Sequence, residues 1–286
     1  MPASVKESEG ASRTFVDMTS AELTKVIPEL KDLEPAESQS MLPQILHGVG
    51  AVVAAFFEEF PNTTCTERVT SVVRVEFGAR AFPPHAVRGG LRSYEAKYNY
   101  VALAQTGVAK ARLREFRTDR RGRLVRPDPP NKVITTGFAA MCEHFHPELQ
   151  PDSRFHFLGR QMTEKQETYV VAFAQRPALA RRFTSVEFGG RTEVTFWQGI
   201  AWIDPVTFRI LRLRTDLEPR KRVAGVLKET TKILYSEVSF EQGSTTLWLP
   251  REVTVTGQFN QYLFQNRHRY SDYRLFKVSV QQNPGS

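Results

Sequence analysis

The residue types that bind metal ions are concentrated in the stretch 142–146 (CEHFH), with His156 close behind it. On a helix, Cys142 and His146 are four residues apart and share a face, whereas His144 points elsewhere. A protein-bound zinc ion needs three or four such ligands with supporting hydrogen bonds. We therefore interpret this stretch as a helix end with a core cysteine and surface histidines, and we predict no metal site and no other cofactor.

Nucleophilic catalysis has no signature in this chain. There is no Gly-x-Ser-x-Gly motif, and Cys65 has no flanking catalytic pattern. Pairs of catalytic carboxylates leave no trace in a sequence, so a hydrolase with an unassigned carboxylate or histidine site stays a third hypothesis. We predict that the chain is not an enzyme and name no catalytic residue.

The two cysteines, Cys65 and Cys142, allow two interpretations. One disulfide bond forms readily in an oxidising compartment. Two buried thiols explain the same residues equally well, and the spacing does not choose between them.

Arginines crowd one predicted hairpin and the loop that follows it. The functional interpretation is contact with anionic lipid headgroups. The alternative, which we favour, is a solvated edge that discourages sheet-to-sheet pairing. Glu115 and Asp119 interrupt the run and no stacking aromatics alternate with it, so nucleic acid is not an expected partner. The residues assigned to headgroup contact are Arg112, Arg114, Arg120 and Arg121.

Composition indicates an ordinary globular chain that is rich in sheet. The 286 residues are 41% hydrophobic and 24% charged, and they include 20 phenylalanines, which favour pleated surfaces. The net charge of +8 arises from 39 basic and 31 interspersed acidic residues, so it does not by itself identify an anionic partner. No run of about 18 apolar residues is present, and no export signal opens the chain. We expect a cytosolic chain or an exported one whose signal was removed.

Three segments have helical patterns. Residues 1–16 are predicted to form a flexible tail, and 17–39 a short helical extension that begins with a capping box between Thr19 and Glu22. The strongest helix is predicted over 40–60, where a wide apolar face requires a large hydrophobic partner. A third helix is predicted over 135–145.

The rest of the chain has strand patterns. Residues 66–77 are predicted to form one strand, and 91–105 with 109–118 a hairpin. Strict alternation over 247–259 is typical of a half-exposed antiparallel strand. Short turns leave no room for parallel crossovers, so the C-terminal half is predicted to be a long antiparallel meander. Its further strands are predicted at 154–163, 166–175, 183–189, 191–203, 206–217, 228–242 and 261–280.

Five short motifs follow one another along this meander: 199–204 (GIAWID), 207–213 (TFRILRL), 235–240 (YSEVSF), 247–250 (LWLP) and 270–273 (YSDY). Taken in this order, they resemble the superfamily of periplasmic lipoprotein carriers that includes LolA, LolB and LppX. The resemblance covers about residues 40–280 and implies an α+β, mainly β fold. The expected architecture is one half-open antiparallel β-barrel domain over 40–281, with helices covering its concave face.

The same resemblance implies an exported, non-catalytic protein of the periplasm or cell envelope with an apolar cavity for acyl chains or other lipids. We therefore expect a carrier or sensor of a hydrophobic ligand, which contacts the membrane surface or envelope proteins. The alternative is a protein-interaction module without a small ligand. The predicted cavity-lining residues are Val53, Phe56, Phe57, Phe138, Phe196, Trp202, Trp248, Tyr262 and Phe264.

Overall fold

A computed structural model describes most of the chain. The described residues are 13–60, 63–75, 91–104, 113–125, 139–163, 166–177, 185–188, 191–194, 196–218, 226–240, 246–259 and 262–275. The helices are α1 (Ser20–Val26) and α2 (Leu42–Glu59), with 3₁₀ helices at Phe15–Asp17, Pro28–Leu30, Ala139–Phe145 and Gln150–Asp152.

Strands account for most of the described structure. Their bounds are β1 (Glu34–Pro35), β2 (Thr63–Val75), β3 (Leu91–Ala104), β4 (Leu113–Thr118), β5 (Ser153–Thr163), β6 (Gln166–Gln175), β7 (Ser185–Phe188), β8 (Arg191–Val194), β9 (Trp197–Ile203), β10 (Ile210–Leu217), β11 (Val226–Ser239), β12 (Thr246–Phe259) and β13 (Tyr262–Leu275).

Eleven of these strands form one antiparallel sheet in the order β1-β5-β6-β9-β10-β11-β12-β13-β2-β3-β4. Strands β9 to β13 pair in sequence, as the predicted meander requires. β13 then pairs with β2, which joins the two ends of the chain in one sheet. The outermost strands, β1 and β4, do not pair with each other, so the sheet is open. The predicted fold class, α+β and mainly antiparallel β with an open sheet, is confirmed. The helices lie on both faces, since α2 covers one and α1 packs on the other.

Local sequence explains both α-helices. The Thr19 hydroxyl accepts a hydrogen bond from the Glu22 amide, and the Glu22 carboxylate accepts from the Thr19 amide, so the predicted capping box begins α1. In α2, residues spaced four apart share a face and are all buried. They are Ile45, Val49, Val53 and Phe57.

The sheet carries a hydrophobic core on each face. We call the face covered by α2 and the 3₁₀ helix Ala139–Phe145 the inner face, and the opposite one the outer face. The inner core takes in side chains from β2, β3, β5, β6 and β9–β13. In β9, Ala201 and Ile203 belong to the inner core, whereas Ile200 and Trp202 belong to the outer core.

The outer core lies under the N-terminal segment 13–35. Leu23, Ile27 and Leu30 pack on Leu158, Val170 and Trp202, and all six side chains are at most 1% exposed. β1 fastens the end of this segment to β5. There Gly159 adopts φ +136°, and a Cβ on it would lie 1.9 Å from the Glu34 carbonyl oxygen.

Several predicted elements need correction. Residues 13–16 do not belong to a tail, because Phe15 is buried in the outer core. The predicted third helix is a 3₁₀ helix over Ala139–Phe145, and its earlier part lies outside the described residues. The predicted strand 191–203 is two strands, since β8 pairs with β7 in a separate sheet while β9 enters the main one.

Candidate functional site in the inner face

A cavity of about 290 Å³ lies between α2 and the neighbouring ends of β10, β11 and β12. This volume is near the lower end of the range of small-molecule pockets, roughly 300–1,000 Å³. Its lining residues are Val52, Val53, Ala55, Phe56, Phe60, Cys142, Arg209, Ile210, Tyr235, Thr246, Leu247, Trp248 and Leu249. Most of the wall is therefore aliphatic or aromatic.

Two buried polar groups interrupt this apolar wall, the Tyr235 hydroxyl and the Cys142 thiol. Burial raises the pKa of Tyr235 well above its ordinary value and that of Cys142 to about 12, so both are neutral at physiological pH. The Cys142 thiol lies beside the Tyr235 hydroxyl, and a thiol is only a weak hydrogen-bonding group. The Tyr235 oxygen has no other hydrogen-bond partner among the described residues.

Arg209 provides the one charge in the lining. Its guanidinium lies 5.4 Å from the centroid of a Trp248 ring and donates to Glu237 Oε2 at 3.1 Å. The Trp248 indole N–H donates to the Ile210 carbonyl oxygen at 2.7 Å, which fixes the ring against β10. The arginine side chain is 34% exposed. The cavity thus combines an apolar interior with a cation at its solvent side.

The turn before β10 positions Arg209 and contacts α2. The Asp204 carboxylate accepts hydrogen bonds from the amides of Val206 and Thr207, a pattern that is common where aspartate begins a turn. Phe208 then packs against Gly48 of α2, where an added Cβ would lie 2.4 Å from the ring. Only a residue without a side chain allows this approach.

The structure brings three of the nine predicted lining residues to the cavity, namely Val53, Phe56 and Trp248. Phe57, Tyr262 and Phe264 pack in the inner core away from it. Phe196 is half-buried beside β9, and Phe138 lies outside the described residues.

Trp202 requires a correction. It lies on the outer face, fully buried, and its indole N–H donates to Gln161 Oε1 at 2.7 Å. β9 is buried on both faces, so an alternating pattern does not distinguish one from the other.

Tyr235, Ile210 and Arg209 were not predicted as lining residues. Leu247 and Leu249 could have been predicted from the sequence, because the alternation over 247–259 places them on the apolar side of the strand. Trp248, assigned by that pattern to the polar side, also lines the cavity. The register between β11 and β12 shifts between Leu234 and Tyr235, which breaks the alternation there.

The predicted headgroup arginines do not form one described surface. Arg120 and Arg121 are exposed in the turn after β4. Arg112 and the side chain of Arg114 lie outside the described residues. Arg117, from the same run, is buried and only 7% exposed.

Arg117 belongs to a buried charge cluster that no sequence pattern predicted. Its guanidinium forms two hydrogen bonds to the Glu67 carboxylate. His268 Nδ1 lies 2.9 Å from Glu67 Oε1, and the Tyr270 hydroxyl donates to the same oxygen at 3.1 Å. Glu67 and His268 are fully buried and 201 residues apart in the chain. We call these four residues the buried charge cluster.

Protonation states in the buried charge cluster follow from its geometry. Burial alone raises the pKa of Glu67, but the hydrogen bonds from Arg117 and His268 outweigh it, and the pKa lies below its ordinary value. Burial lowers the pKa of His268 despite its carboxylate neighbour. A carboxylate can only accept, so the neutral imidazole carries its proton on Nδ1. The Glu67 carboxylate thus accepts hydrogen bonds from side chains of both β4 and β13.

Of the two alternatives for Cys65 and Cys142, the structure has the pair of buried thiols, with no disulfide bond between them. Both belong to the inner core, but their nearest polar neighbours differ, Tyr273 for Cys65 and Tyr235 for Cys142. Burial raises both thiol pKa values, so neither cysteine has the depressed pKa of a nucleophile.

Within the described part of the chain, no group of three or more histidine, cysteine, aspartate or glutamate residues is arranged to hold a metal ion. No helix in the same ranges has the length and apolarity needed to cross a membrane.

Comparison with known proteins gave matches only to solved structures. No protein-family model and no curated protein sequence matches the chain. A LolA superfamily protein from Nitrosomonas europaea is similar at 14% identity and TM-score 0.35, over 83% of this chain and 94% of the other. A DUF1329 family protein from Desulfovibrio piger is similar at 10% identity and TM-score 0.37, over 80% and 92%.

A third structure, described as an outer membrane lipoprotein-sorting protein domain from Vibrio parahaemolyticus, is similar at 10% identity and TM-score 0.38, over 82% and 94%. The superfamily named for the Nitrosomonas protein is the one that the motifs of this sequence resemble. At these low identities and TM-scores, the function of this chain must be argued from its own geometry.

Proposed function

We propose that this chain binds a hydrophobic ligand, a lipid or an acyl chain, in the inner-face cavity, and that it acts as a non-enzymatic carrier or sensor in the cell envelope. The observation that carries the proposal is the apolar cavity between α2 and β10–β12. Each methylene transferred from water into such a wall contributes about 0.8 kcal/mol. Arg209 at the solvent side suits a ligand with a polar or anionic end.

Displacement of a fluorescent fatty acid tests this proposal in the full chain. Val52 lines the cavity and is half-buried, so Val52→Trp fills space with little strain on the core. If the indole excludes two methylenes of the guest, about 1.6 kcal/mol is lost, which is more than a tenfold loss of affinity.

Val26→Trp is the matched control. Val26 is 57% exposed on α1, outside the cavity, and its replacement should leave affinity unchanged. A wild-type protein that binds no acyl probe, or equal affinities of the Val52→Trp variant and wild type, would contradict the proposal.

A further inference from the structure

On the outer face, the apolar side chains of the N-terminal segment pack on β5, β6 and β9, and Glu29 reaches Arg214 of β10 and Lys232 of β11. Beyond these strands a second cleft opens. It has a volume of about 400 Å³ and lies where β12 separates from β13. Pairing between these strands runs from Phe259↔Tyr262 to Glu252↔Arg269, whereas β13 goes on pairing with β2 as far as Leu275. The cleft is therefore a consequence of the strand pairing.

The cleft is lined mainly by cations. Lys97 pairs with Arg68, Arg68 with Arg269, and Arg269 with Glu252, so three positive residues lie directly opposite one another on adjacent strands. Like charges at opposed positions destabilise a sheet. An anion bound between them would relieve that repulsion.

Arg251 adds a fourth cation. The register between β11 and β12 passes from Tyr235↔Pro250 to Leu234↔Glu252, so Arg251 is the extra residue of a bulge. Bulges re-aim side chains, and here Arg251 joins Glu252 in lining the cleft.

The carboxylates nearby compensate only part of this charge. Glu252, the one acidic residue of the lining, already accepts from Arg267 at 2.7 Å and Arg269 at 3.3 Å. Arg68 lies 3.4 Å from Glu95, and both side chains are more than half exposed. Lys97 and Arg251 have no acidic partner in the described structure.

We propose that this basic cleft docks the protein on an anionic membrane surface through the phosphate groups of lipid headgroups. The Thr66 hydroxyl in the lining is a neutral hydrogen-bonding group beside the cations, whereas the Ser271 hydroxyl donates to Asp272 Oδ2 at 3.1 Å. Tyr270 is the one aromatic residue of the lining and is buried, so stacking of nucleic-acid bases has no platform there. Arg251 follows Leu249 of the inner cavity by about 7 Å along β12, but the cleft and the cavity lie on opposite faces of the sheet.

The test is co-sedimentation with vesicles of equal parts phosphatidylcholine and phosphatidylglycerol, beside vesicles of phosphatidylcholine alone. The double variant Lys97→Gln/Arg251→Gln removes two exposed cations that have no acidic partner in the described structure. Each cation close to an anionic surface strengthens binding about 5-fold, so partition to the anionic vesicles should fall about 25-fold. Binding should also weaken as salt is added.

Arg120→Gln/Arg121→Gln is the control, since it removes the same charge from exposed positions elsewhere. It should leave partition nearly unchanged, and both variants should keep the wild-type melting temperature. Equal losses in both variants, no loss in the first, or equal binding to neutral vesicles would overturn the proposal. Binding to duplex DNA in place of anionic vesicles would overturn it as well. Fatty-acid binding in solution is measured separately, so its failure would not affect this result.

Discussion

The two faces of this sheet carry hydrophobic cores of different character. The side chains of the outer core are almost fully buried, and hydrogen bonds and ion pairs surround them. The Phe15 amide donates to Gln198 Oε1 at 2.8 Å, and Arg154 and Arg214 bind carboxylates of the N-terminal segment. The inner core is larger, packs mainly through apolar side chains of α2, and leaves a cavity. The comparison teaches that the outer face, closely covered by the N-terminal segment, contributes mainly to stability. The inner face is covered mainly by one long helix and leaves room for a ligand.

The sharpest test of this difference replaces one tryptophan on each face. Trp202→Ala removes a fully buried indole and leaves Gln161 Oε1 without its donor, so we expect a loss of about 4–5 kcal/mol in the free energy of unfolding. Trp248→Ala enlarges a cavity that is already present and should cost about 1–2 kcal/mol while changing acyl-probe affinity. Urea denaturation measures both. Equal losses would mean that the two faces do not differ in packing.

Charge separates the faces in a second way. Glu67→Gln removes the carboxylate that binds the buried Arg117 guanidinium, and we expect a loss of about 3 kcal/mol in the free energy of unfolding. Glu252→Gln on the outer face also removes a carboxylate bound to two arginines, but those arginines are exposed, and the loss should stay below about 1 kcal/mol.

The double variant Glu67→Met/Arg117→Met removes both charges of the buried pair. Its stability should recover at least half of the loss caused by Glu67→Gln, because no uncompensated charge remains. If the double variant is no more stable than Glu67→Gln, the loss arises from packing and not from charge.

The smallest expected effect is a pH dependence that comes from the inner face. Burial lowers the pKa of His144 to about 3, against an ordinary value of 6.5. Between these values the unfolded chain binds a proton that the folded chain does not, so stability falls as the pH drops below 6.5. At pH 5 this amounts to about 2 kcal/mol, and His268 contributes in the same direction.

His144→Phe removes about one of the protons that the chain takes up on unfolding. The unfolding free energy of this variant should therefore decline less between pH 7 and pH 5 than that of the wild type. Phenylalanine keeps the ring contact with Phe173, whose centroid lies 4.7 Å from that of the imidazole. His47→Gln, at an exposed position of α2, is the control and should leave the slope as it is. An unchanged slope in the His144 variant would show that this group does not govern the acid response.

Local patterns predicted the elements that local chemistry controls. The capping box at Thr19 began a helix, the apolar period over 40–60 produced α2, and the short turns of the C-terminal half produced paired antiparallel strands. The apolar face of 247–259 also placed Leu247 and Leu249 correctly in the core.

Features that depend on remote contacts were not predictable. Trp202 was assigned to the wrong face because β9 is covered on both sides, and the covering residues precede it by more than 170 positions. Glu67 and His268 meet only because β13 pairs with β2. Arg251 lines the basic cleft because of a register shift between β11 and β12. The single extra residue of such a bulge cannot be recognised from the composition or from the period of the sequence.

The docking of Phe15 on β9 has a consequence for biosynthesis. The Phe15 amide bonds to a side chain 183 residues later, so the N-terminal segment cannot complete its contacts until that part of the chain has left the ribosome. At about 5–20 residues per second, the wait is roughly 10 to 40 seconds. For most of this interval the apolar side chains of α1 also wait for their partners, because Leu158 follows Leu23 by 135 residues.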